Sequence, residues 1–140
     1  MKTMANMRRK ARSTVLQALY ESDCVGHDLI TTVQRLGEDH SLTKDAASFA
    51  QEIAQGVVEN REEIDALIQR FAPNFPVAQL ALVDRAILRL AIFELTSAGT
   101  VPAKVVINEA VELAKSFGSA SSSRFINGVL GSVNSVMLQK

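Results

Sequence analysis

A chain of 140 residues that is 47% hydrophobic can bury a real core, as one domain or as two small subdomains. Its single cysteine, Cys24, excludes an internal disulfide and a cysteine-based zinc site, and no apolar run approaches the roughly 18 residues of a membrane span. The net charge of zero hides an asymmetry: Lys2, Arg8, Arg9, Lys10 and Arg12 all precede the first acid, Glu21, so the rest of the chain is acidic.

A basic arm on an acidic body suits a polyanion bound at one end. The N-terminus also lacks the apolar stretch of a secretory signal, which points to a cytoplasmic protein. Residues 1–7 read as a loose arm. From Arg8 a helix is expected, with Ala11, Val15, Ala18 and Leu19 turned inward and Arg8, Arg9 and Arg12 partly outward. Tyr20 follows Arg12 by two turns. Arginines near an aromatic ring suit single-stranded RNA, because guanidinium groups hold phosphates and a ring stacks a base. A solvated helix start is the plainer alternative.

Gly26 ends that helix. Asp28 can cap a second over about 29–38, and Thr43 can cap a third carrying Ala46, Phe49, Ala50, Ile53 and Val57. The periodicity resumes through Ile64, Leu67, Ile68 and Phe71, as one helix bent at Gly56 or as two. Ala72-Pro73-Asn74-Phe75-Pro76 is the clearest break, and it divides the chain into subdomains 1–75 and 76–140.

A helix over about 77–96 is apolar almost all round and therefore central. Its charges need partners, either within the chain or on a docking protein. Arg85 and Arg89 share one face, while Asp84 and Glu94 point elsewhere. Gly99 then turns the chain into VPAKVVINEAVELAKSFG, where Pro102 suits a first turn and Gly118 suits a left-handed stop. Phe117 belongs to the apolar stripe of that helix. Ser119, Ser121, Ser122 and Ser123 can cap the last helix, whose stripe is Phe125, Val129, Val133 and Met137. Asn108 in mid-helix, Arg124 in a first turn and Gly128 inside a helix exceed what packing needs. No strand pattern appears, so the fold class is all-α, with about six to seven helices in two helical subdomains.

No catalytic constellation is present. His27 and His40 lack the helical spacing of a metal pair, Cys24 lacks a neighbouring base, and no phosphate-cradling glycine loop occurs. The serine run is better explained by capping than by nucleophilic chemistry. A non-enzyme without metal or cofactor is expected.

The run VDRAILRLAIFEL (83–95), then VPAKVVINEAVELAKSFG (101–118), then SRFINGVL (123–130), resembles the C-terminal half of the NusB family of bacterial transcription antitermination factors. The resemblance extends to RRKARSTVLQALYESD (8–23). It implies a boxA-type single-stranded RNA ligand, bound as a heterodimer with NusE, a small-subunit ribosomal protein. It also implies a role with RNA polymerase in reading through terminators, notably in ribosomal RNA operons. By this resemblance Arg8, Arg9, Lys10, Arg12 and Tyr20 carry RNA contacts. Phe117, Ser119, Ser121, Arg124 and Phe125 supply a second patch. NusE docks on the central helices, through Asp84, Arg85 and Leu88.

The chain departs from the family pattern at Ala120 and Ser121, where relatives often carry acids. Losing carboxylates beside a phosphate path should raise RNA affinity. Phe93 stands where tyrosine is frequent, and Ser123 where histidine is. Two other readings remain: a non-catalytic interaction module or homodimer, and the RNA-binding domain type that precedes some RNA cytosine methyltransferase domains.

Overall fold

The computed structural model describes residues 3–97 and 101–138. Lys2 of the basic arm and the Gly99 turn lie outside the described residues. Seven α-helices occur among the described residues, and no strand. They are α1 (Met4–Val25), α2 (Leu29–Asp39), α3 (Lys44–Glu59), α4 (Arg61–Phe71), α5 (Leu82–Thr96), α6 (Ala103–Phe117) and α7 (Ser122–Leu138). The all-α expectation is met.

The chain divides into two compact units between Glu59 and Asn60, upstream of the proline-rich break at 72–76. The reason is packing: α4 docks on α5 and α7, so it belongs to the second unit although it precedes Pro73. Asn60 ends one helix and begins the next, which resolves the bent-or-split question in favour of two helices.

In the first unit α1, α2 and α3 pack pairwise. The inward stripe of α1 is as expected, with Ala11, Val15, Ala18 and Leu19 all buried. Its start is not: α1 begins at Met4, because the Thr3 hydroxyl accepts from the Asn6 N–H at 3.1 Å and closes the first turn. The segment read as a loose arm is thus helical from Met4 onward. Gly26 stops α1 in the left-handed region, at φ 74°, as expected. Asp28 caps α2 by accepting from the Thr31 N–H (3.0 Å) and hydroxyl (2.8 Å). Thr43 caps α3 by accepting from the Ala46 N–H at 3.2 Å.

A surface ion cluster ties α1 to α2. Glu21 accepts from Arg35 and from His27 Nδ1 (2.9 Å). Arg35, and to a lesser degree His27, hold the Glu21 carboxyl below its ordinary 4.5. The Thr31 backbone and hydroxyl hold Asp28 below 3.8. A carboxyl depressed in the folded state stabilises the fold above its ordinary value and loses that contribution as pH falls through the folded-state value. The urea midpoint should therefore drop on acidification below about pH 4.5, and Glu21→Gln should flatten that decline; an unchanged acid limb would exclude the cluster as its source.

In the second unit α5 packs against α4, α6 and α7, and every residue from 86 to 92 is buried. The central helix is shorter than expected. Val77–Gln79 forms a 3-10 turn, and α5 proper starts at Leu82 after extended backbone at Leu80 and Ala81. Pro102 precedes α6 rather than entering it. Asn127 and Gly128 lie within α7, as the stripe predicts.

Candidate nucleic-acid interface

The basic residues of α1 divide by role. Arg9 is exposed, while Arg8 and Lys10 are half-buried. Arg12 is only 2% exposed, so the outward orientation expected of it is not found. Its guanidinium lies 5.2 Å from the centroid of the Phe49 ring, and that of Arg8 lies 5.0 Å from the same ring. A desolvated cation over an aromatic face is stabilised by the ring quadrupole. Arg12 therefore props the α1–α3 contact, and of the three arginines Arg8 and Arg9 retain accessible surface. Phe49 was legible as a stripe residue of α3, but its meeting with two arginines is tertiary and has no local signal.

Lys10 borders a cavity of about 240 Å³ shared with Asn6, Ser41 and Thr43. Met7 separates it from a second cavity of about 280 Å³ beside Arg8 and Phe49. A larger cavity of about 490 Å³ lies between α2 and α3, around Ile30, Val33 and Leu42; its mainly apolar lining includes no base that would hold phosphate. Tyr20 is 44% exposed and lies about 18 Å along α1 from Arg8 at 1.5 Å per residue. A hydrogen bond with the Cys24 thiol, one turn on, raises its phenol above the ordinary 10.0.

The second expected patch is the α6–α7 junction. Phe117 is 43% exposed and so presents its ring instead of packing in the stripe. Ser119, Ser121 and Arg124 are exposed, and Phe125 is half-buried. Gly118 is not left-handed: φ is −96° and ψ −171°. It is needed for a different reason. A Cβ there would lie 2.5 Å from Ser122 Oγ, 2.6 Å from Ser122 Cβ and 2.8 Å from the Ala114 carbonyl oxygen. Ser122 is buried, and its hydroxyl accepts from the Ser119 N–H at 2.9 Å, pinning the junction. The serine run thus serves as a loop clasp as much as a helix start.

The expected partner residues also diverge. Asp84 is half-buried in the first turn of α5, where a carboxylate suits the macrodipole. Its Oδ1 is buried and has no hydrogen-bond partner among the described residues. Arg85 Nη1 donates to the carbonyls of Val77 (3.5 Å) and Ala78 (3.3 Å), which fixes the 3-10 turn. Leu88 is fully buried and offers no surface. Gln69, which the sequence did not flag, clamps the same segment: its Nε2 donates to the Phe75 carbonyl (3.1 Å) and its Oε1 accepts from the Val77 N–H (3.2 Å). Phe75 is left exposed. No helix of the described residues is long and apolar enough to cross a membrane.

Comparison with known proteins places this geometry. The NusB family profile matches residues 9–135. A protein of Dehalococcoides mccartyi (strain CBDB1) named transcription antitermination protein NusB is 49% identical over 134 residues, covering 96% of this chain and 94% of that one. A protein of the same name from Herpetosiphon aurantiacus is 46% identical over 94% of this chain and 92% of its own. Among solved structures, T. maritima NusB superposes with a TM-score of 0.87 at 34% identity, over 96% of this chain and 93% of its own. A structure of antitermination factors NusB and NusE in complex with dsRNA has a chain with a TM-score of 0.85 at 28% identity, covering 96% of this chain and 99% of its own. A profile spanning nearly the whole chain and relatives of near-equal length close to half identical leave one conclusion: the chain belongs to the NusB family.

Proposed function

We propose that this protein is a non-catalytic, cytoplasmic transcription antitermination factor that binds boxA-type single-stranded RNA together with NusE and promotes read-through in ribosomal RNA operons. The observation that carries the reading is the set of basic side chains on the first turns of α1, with Arg8 braced on Phe49 and Arg9 exposed. Such a surface neutralises phosphates without the entropy cost of ordering a free arm. The relative solved with NusE and dsRNA supports NusE and, in general, RNA as partners. Phe117, Ser119, Ser121, Arg124 and Phe125 form the second RNA patch in this reading. NusE docks at the start of α5 in this reading, where the half-buried Asp84 places an acidic side chain in the first turn.

The test is binding of a boxA-like single-stranded RNA across a salt series, with and without NusE. The log–log slope should correspond to several phosphates, at about −0.7 per phosphate for single strands. Arg9→Ala should weaken binding on the order of tenfold and reduce the slope by about one contact, and NusE should tighten it. Acids placed at Ala120 and Ser121 should weaken it again. Salt-independent or absent RNA binding would leave an interaction module only.

A further inference from the structure

The cavity of about 280 Å³ at the N-terminal end of α1 has a lining that a phosphate path does not explain. Met4, Met7 and Arg8 of α1 face Asp45, Phe49 and Glu52 of α3 across it. Two carboxylates on one wall repel a phosphate. They also accept hydrogen bonds only, so they select a ligand that brings N–H donors. The remaining wall offers planar groups for stacking, a guanidinium and an aromatic ring. Arg8 lies 5.0 Å from the Phe49 centroid, and two thioethers sit beside it. A flat ring with N–H groups on its edge meets both demands, and in single-stranded RNA that is an unstacked base.

We propose that this cavity is a base-recognition pocket, which takes an unstacked guanine of the bound RNA. The base stacks on the Arg8–Phe49 pair and presents its Watson–Crick edge to the carboxylate wall. Guanine is singled out by donor geometry. Its N1–H and N2–H are parallel and adjacent, matching the two oxygens of one carboxylate. Uracil offers one N–H flanked by carbonyls that a carboxylate repels, and cytosine and adenine offer only an amino group. Asp45 and Glu52 are two turns apart on α3, about 10 Å along its axis, so the edge engages one of them. The inference rests on the RNA-binding reading and adds specificity to it: Arg9 and Lys10 hold backbone and this pocket reads a base, the division of labour usual in nucleic-acid recognition.

The experiment uses the full chain and short oligouridines that carry one central guanosine, one central inosine (no N2 amino group) or neither. The guanosine RNA should bind on the order of tenfold more tightly than plain oligouridine, as expected for one bidentate base contact, with inosine between them. Asp45→Asn or Glu52→Gln should abolish that preference while leaving oligouridine affinity equal or higher, since repulsion is relieved. Arg9→Ala should weaken all three RNAs equally and keep the preference. If neither carboxylate variant alters the guanosine-to-uridine ratio, the pocket is overturned and RNA binding stands. If none of the RNAs binds, the RNA reading fails and the pocket with it.

Discussion

Replacing Asp65 by alanine should lower the unfolding free energy by about 3 kcal/mol in urea denaturation. Arg89 of α5 donates through Nε to Asp65 Oδ1 at 2.9 Å and through Nη2 to Oδ2 at 3.0 Å, a fork-to-fork pair. The Arg89 side chain is only 6% exposed, in a run of otherwise apolar buried residues, while Asp65 retains 27% exposure. Removing the carboxylate therefore takes from a guanidinium in the core the two-pronged acceptor that Asp65 supplies. That is the costly way to break such a pair, and the residual hydration of Asp65 puts the effect toward the lower end of the range. The double variant Asp65→Ala with Arg89→Met should recover most of the loss, because an apolar side chain needs no counter-charge there. A single-variant effect within about 0.5 kcal/mol of the parent would mean that the pair behaves as a surface ion pair.

That pair also marks the limit of what the sequence discloses. An almost uniformly apolar α5 implied that its charges need partners, which was legible, but the identity of Asp65 was not, because it depends on how α4 crosses α5. Features closed within about four residues were legible: Gly26 as a left-handed stop, Asp28 and Thr43 as caps. The same local logic failed where a residue serves a contact outside its own turn. Arg12 has the helical phase of a half-outward residue, yet it is drawn under by Phe49 of α3. Phe117 has the phase of the stripe, yet as the last residue of α6 it is left exposed. The family motifs pointed to the start of α1 and to the α6–α7 junction as RNA contacts. They did not distinguish the arginines that face solvent from the one that braces the helix.

Gly118→Ala should destabilise the chain by about 2–3 kcal/mol and, on the proposed RNA-binding reading, weaken RNA binding through the α6–α7 junction. The backbone at φ −96° is open to any residue, so the penalty is one of contact and not of conformation. The added methyl would meet Ser122 Oγ at 2.5 Å and Cβ at 2.6 Å, and the Ala114 carbonyl at 2.8 Å. Ser122 is buried and cannot swing into solvent. Moving it breaks its hydrogen bond from the Ser119 N–H and leaves a buried hydroxyl without that partner, which adds to the steric cost. Ser122→Gly combined with Gly118→Ala should restore part of the stability, because it removes the two nearest atoms. The helical carbonyl of Ala114 remains fixed by its own hydrogen bond from the Gly118 N–H at 2.9 Å, so recovery stays incomplete. In RNA titrations Gly118→Ala should act on a different component from Arg9→Ala. It displaces Ser119, Ser121 and Arg124 while α1 keeps its cations, so affinity falls and the N-terminal contribution to the salt slope persists. Full recovery in the double variant would show that only the serine opposes a side chain at position 118. No loss in the single variant would show that the junction relaxes freely, and a junction that loose could not preorganise an RNA contact.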